Sequence, residues 1–124
     1  MINDDLAIAA GAILGATARY TLSGIFTMPY GTLAVNILGC LLIGLFQTIF
    51  LARPHLPRAW QRFIAVGGLG GLTTFSTVSV ELVQFAAAGN LSFATRYLAL
   101  SLGGGIGAAI VGIALARLIL GDRG

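Results

Sequence analysis

The sequence predicts an all-α integral membrane protein: a single membrane domain, residues 1–124, of four transmembrane helices with the third one broken. Three observations carry this. Hydrophobic residues make up 57% of the chain and charged residues 9%, which leaves too little polar surface for a soluble domain. The apolar residues fall into four runs, each long enough for the roughly 20 residues that a spanning helix needs. Finally, Gly67 to Thr77 reads GGLGGLTTFST, with four glycines and four hydroxyl residues inside the third run. That composition weakens a helix where lipid offers no water to freed backbone groups, so the segment must be buried by protein or line a wet cavity.

The first span covers about residues 6–26 and holds one charge, Arg19. Before it stand Asp4 and Asp5, where a secretory signal has basic residues, and the apolar run continues too far for such a signal. The start is therefore expected to be a retained helix. Thr27, Met28, Pro29 and Tyr30 form the connection, because proline interrupts helix and tyrosine favours the interface. The second span, about 31–52, is uncharged, and its Cys40 reads as a small core residue. RPHLPRAWQR, Arg53 to Arg62, is an interfacial loop with two prolines, three arginines and Trp60. The third span covers about 63–88, broken near 67–77, and carries Glu81. Gly89, Asn90 and Leu91 make the next turn, and the fourth span covers about 93–120.

The net charge is +3, from seven arginines against four acids. These charges are spread along the chain, which excludes a nucleic-acid footprint. An even number of spans places Arg53, Arg58, Arg62, Arg117 and Arg123 on the side of the N-terminus, with Arg96 and Arg19 towards the other. The positive-inside tendency then favours a cytoplasmic N-terminus. No nucleophile and base pair or thiolate metal spacing is present, so an enzyme is not expected.

Small residues recur at helix-contact spacing: Gly11 with Gly15, Gly103 with Gly107, and also Gly39, Gly44 and Gly112. In lipid, close backbone approach through glycine is how spans associate. Four short helices are few to enclose a pathway as well, which argues for an oligomer, and a homodimer is the smallest solution.

Polar residues within the spans mark the candidate site, each with two readings. Asn36, one turn after Thr32, can donate to an anion or lock two helices together. Arg19 can snorkel to the headgroups or stand as a fixed cation in a vestibule. Thr73 or Thr74, Thr77, Glu81 and Gln84 fall near one helical face, as a permeation path or a dimer face requires. Glu81 is either the exchanging group of a proton-coupled carrier or a carboxylate satisfied by neighbouring hydroxyls or an arginine. Phe75 packs, or else turns its positive ring edge to an anion. Tyr97 and Ser101 offer hydroxyls to the same cavity, or anchor and pack the fourth span.

GAILGATARY (Gly11 to Tyr20), GTLAVNILGCLLIG (Gly31 to Gly44) and GLGGLTTFSTVSVE (Gly68 to Glu81) resemble the signature stretches of the CrcB/Fluc fluoride channels. The resemblance covers the first three spans in order. It implies a homodimer of antiparallel, dual-topology subunits in the cell (inner) membrane, with two fluoride-selective pores that passively export cytoplasmic fluoride. It also implies roles. Asn36 becomes the pore amide and Phe75 a ring-edge contact, while Ser76, Thr77, Tyr97 and Ser101 become hydroxyl-bearing pathway positions. Arg19 becomes the vestibule cation, while Thr32, Thr74 and Glu81 are candidates for supporting the polar track on the reading of the residues alone. The backbone carbonyls of Gly70 and Thr73 would hold a structural sodium ion at the dimer interface.

The chain departs from the family motif TTFSTF at Val78, which has no ring edge to offer. Together with the arginine bias, this admits a heterodimer in which one pore has decayed. A small proton-coupled exporter using Glu81, and a packing subunit with no pathway of its own, are the readings from other classes.

Overall fold

The computed structural model describes residues 2–121, so Arg123, counted above, lies outside the described residues. Among the described residues there is only helix, turn and coil. The helices are α1 (Ile2–Ser23), α2 (Tyr30–Ala52), α3 (Arg58–Gln61), a π-helical stretch (Arg62–Leu69), α4 (Gly70–Leu72), α5 (Ser76–Ala87) and α6 (Leu91–Leu120). Four helical runs are long and apolar enough to cross a membrane, the third being Arg58–Ala87 taken through its break. The first span ends three residues short of the expected 26. Gly24, Ile25 and Phe26 turn instead, and Ile25 N–H bonds the Leu22 carbonyl at 3.2 Å.

The bundle is built from two parallel pairs. α1 lies against the π-helical stretch and α4 through glycines on both sides. A Cβ on Gly15 would stand 2.0 Å from the Gly68 carbonyl oxygen, and one on Gly67 would stand 2.3 Å from that of Ile8. α2 lies against α6 in the same way, Gly44 against the Ala109 carbonyl and Gly112 against that of Leu41. Such contacts bring backbones closer than any side chain allows, the means of association open to helices in lipid. Gly103 and Gly107, expected to extend this packing, have no atom within 4 Å of an added Cβ. They face outward from the subunit.

Val35, Leu69 and Leu72 form the buried core where α2 meets the third span, with Leu22, Phe46 and Ile64 packed against it. Large apolar residues elsewhere, such as Leu14, Val83 and Ile110, are exposed. In lipid this exposure is no penalty, because acyl chains are as apolar as the side chains.

The break lies at Thr73, Thr74 and Phe75, after the glycines and not at them. Gly70 and Gly71 are helical, and Thr73 turns to extended backbone at φ −81°, ψ 153°. Gly71 therefore serves contact, since a Cβ there would meet the Ala12 carbonyl at 2.6 Å, whereas Gly70 has open space. A β-branched pair following them ends the helix, since threonine loses side-chain freedom in a helix and has a hydroxyl to rebond the backbone.

Candidate functional site at the break in the third span

Ending a helix inside a membrane frees backbone groups, and α1 and α2 supply partners for some of them. Asn36 of α2 takes both sides of Thr74: its Nδ2 donates to the Thr74 carbonyl at 2.9 Å, and its Oδ1 accepts the Thr74 N–H at 2.8 Å. Arg19 of α1 donates from Nη1 to the Thr73 carbonyl at 3.2 Å. Its guanidinium is thus tied to the break and does not snorkel to the headgroups. The Thr73 hydroxyl donates to the Leu69 carbonyl at 3.0 Å, and Gly39 leaves room for the Thr73 methyl against α2.

The two ends of the break have opposite character. Among the described residues, the carbonyls of Gly70, Gly71 and Leu72 accept no hydrogen bond, and the N–H groups of Phe75, Ser76 and Val78 donate none outside regular helix. The end of α4 is therefore partially negative and the start of α5 partially positive. Carbonyls at the one end suit a hard cation, and amides at the other suit an anion. Thr74 reinforces the start of α5. Its hydroxyl accepts the Thr77 N–H at 3.2 Å, donates to the Thr77 hydroxyl at 3.1 Å and shares a hydrogen bond with the Ser76 hydroxyl at 3.2 Å.

Glu81, only 4% exposed, is held by hydroxyls from two other spans. Thr32 donates to Oε1 at 2.8 Å and Tyr97 to Oε2 at 2.6 Å. Both carboxylate oxygens of Glu81 are thus met by neighbouring hydroxyls, one of the arrangements left open for it. Tyr97 is 2% exposed and also lies edge-on to Phe85, with ring centroids 6.1 Å apart. Nothing in the spacing of one helix could have matched these three residues, because each sits on a different span.

Three adjoining cavities connect most of these groups, though Ser76 and Tyr97 line none of the three. One of about 250 Å³ is lined by Asn36, Thr73, Thr74, Phe75, Val78 and Ser101, with Cys40 in its wall. A second, about 200 Å³, contains Arg19, Thr32, Thr74 and Thr77. A third, about 610 Å³, opens beside Tyr20 and Phe26 and reaches Thr32, Thr77 and Glu81. Thr74 is common to the first two, and Thr32 and Thr77 to the last two. The Ser101 hydroxyl is buried and makes no hydrogen bond of good geometry; it lies within reach of the Tyr97 hydroxyl, so its donor can serve that oxygen or whatever occupies the first cavity. Phe75 is 73% exposed on the subunit surface, whereas Val78 is 4% exposed. Cys40, read from sequence as core, and Leu98 and Leu102, which were not singled out, also line this cavity.

Fold and site together define a small multi-pass membrane protein organised around a broken helix. The chain belongs to the CrcB family, whose profile, described as "CrcB-like protein, Camphor Resistance (CrcB)", matches residues 6–113. It is similar to the protein named fluoride-specific ion channel FluC of Bordetella petrii, 46% identical over 92% of this chain and 91% of that relative. It is also similar to the FluC of Pseudomonas fluorescens, 40% identical over 91% of this chain and 96% of the relative. The FluC 1 of Nitrobacter hamburgensis is 42% identical over 92% of this chain and 95% of the relative.

Proposed function

We propose that the protein is a fluoride-selective passive channel of the cell (inner) membrane, a homodimer with two pores that lets cytoplasmic fluoride escape. The observation that supports this most is the run of hydrogen-bonding groups through three adjoining cavities to the free amides of α5, in a chain whose relatives are named fluoride-specific ion channels. Hydrogen fluoride enters a cell as a neutral acid, ionises at cytoplasmic pH and is trapped as the anion. A small, strongly hydrated anion leaves water only where donors replace its shell. Asn36 has a second amide N–H beyond the one given to Thr74, and Ser76, Thr77 and Ser101 bring hydroxyls. Phe75 offers a ring edge, and Arg19 keeps the neighbouring cavity positive. Tyr97 joins them when its hydroxyl leaves Glu81, with Thr32 and Thr74 supporting the track.

A structural sodium ion fits the other end of the break. Gly70 is exposed with open space around it, and its carbonyl and that of Thr73, which keeps a lone pair beyond the bond from Arg19, are neutral oxygen donors of the kind hard cations take. When bound, the ion satisfies carbonyls that lipid cannot.

Proteoliposomes containing only this chain should release fluoride down its gradient, measured with a fluoride electrode, and Asn36→Asp should abolish the release. Chloride flux equal to fluoride flux would falsify the proposal. A second reading, a subunit of a heterodimer with one decayed pore, is supported by Val78 in the cavity wall. Conduction by the purified chain alone rules that reading out.

A further inference from the structure

The basic end of the bundle carries a surface that the permeation pathway does not use. α2 and α6 run parallel and end on the side where α1 and α3 begin, so Arg53, Arg58, Arg62 and Arg117 all leave the bundle at one end. Asp4 takes up Arg62 at 3.8 Å. Arg53, Arg58 and Arg117 are exposed and have no ion-pair partner among the described residues, where Asp5 is the other acid at this end; Asp122 lies outside the described residues.

These free arginines stand where charge meets exposed hydrocarbon. Leu51, next but one before Arg53, is 75% exposed, and Trp60, next but one after Arg58, is 59% exposed with its ring against the edge of Phe63. Arg117 shares a surface groove with Ala114, Leu118 and Gly121. We propose that this end of the bundle, with Arg53 and Arg58 flanked in sequence by Leu51 and Trp60 and with Arg117 on α6, binds the phosphate headgroups of anionic phospholipid. The guanidinium fork matches two phosphate oxygens, and indole rests at headgroup depth. A soluble phosphate would meet the arginines and leave the apolar flank bare, whereas a phospholipid covers both.

Trp60 is the single tryptophan of the chain, so its fluorescence reports the site. The full-length protein is reconstituted with brominated phosphatidylglycerol or brominated phosphatidylcholine, and quenching of Trp60 gives the local preference between them. Phosphatidylglycerol should be preferred by at least about fivefold, the factor expected from each arginine near an anionic surface. In R53Q/R58Q the preference should fall at least about fivefold, with fluoride release unchanged to show that the variant is folded. Equal quenching by the two lipids, or a preference that survives undiminished in R53Q/R58Q, overturns the proposal. Displacement of phosphatidylglycerol by inorganic phosphate at constant ionic strength overturns it in favour of a soluble ligand.

Discussion

Asn36 accepts from and donates to the same backbone unit of Thr74, so shortening it frees two part-buried groups at once. Asn36→Ala should lower the stability of the detergent-solubilised protein by about 2–4 kcal/mol, the lower part of the range of about 1–3 kcal/mol per unpaired group because both groups are only part-buried. Chemical unfolding measures this. Thr32→Val and Tyr97→Phe each remove one donor from Glu81 and should cost about 1–3 kcal/mol apiece. Because both act through one carboxylate, neither cost should add to that of Glu81→Gln, and a double-mutant cycle reads the difference. If the costs add, Glu81 is not the shared partner. The polar atoms themselves stood out in the sequence, as a carboxamide and a carboxylate in apolar runs must. Their partners did not, since Asn36 reaches 38 residues along the chain and Thr32 reaches 49.

Glycine separates into two kinds at the level of the helix. Gly15 and Gly67 sit where a methyl group would enter a neighbouring backbone, whereas Gly103 and Gly107 have open space. Gly15→Ala and Gly67→Ala should therefore sharply reduce the yield of monodisperse protein on size exclusion, because backbone and not a yielding side chain stands in the way. Gly103→Ala and Gly107→Ala should leave the subunit fold intact. The reverse order of effects would show that the pairing of α1 with the third span is misdescribed. Sequence pattern announced both GxxxG pairs alike, since spacing states which residues share a face and is silent on what covers it. The break was legible as a region, but its place among the glycines was not. Gly71 packs against Ala12 of α1 while Gly70 stays helical in the open, and the chain departs only where Asn36 and Arg19 wait for the freed groups.

For the whole molecule, the proposed channel carries an expectation that a proton-coupled exporter does not share. Fluoride release should follow the fluoride gradient and membrane potential alone, and collapsing the proton gradient should leave it unchanged when measured by electrode from liposomes. Dependence on that gradient would restore Glu81 as an exchanging group. The exposure of Phe75 and the outward glycines of α6 also lead to the expectation of a dimer, which crosslinking in the membrane should trap as two chains and no more. By itself the sequence determined that the protein spans the membrane four times with a defective third helix, because length, hydropathy and helix weakness are properties of contiguous residues. Only the tertiary structure decided where the defect falls and which side chains repair it. The groups that satisfy a broken backbone come from other helices, and no local pattern records that meeting.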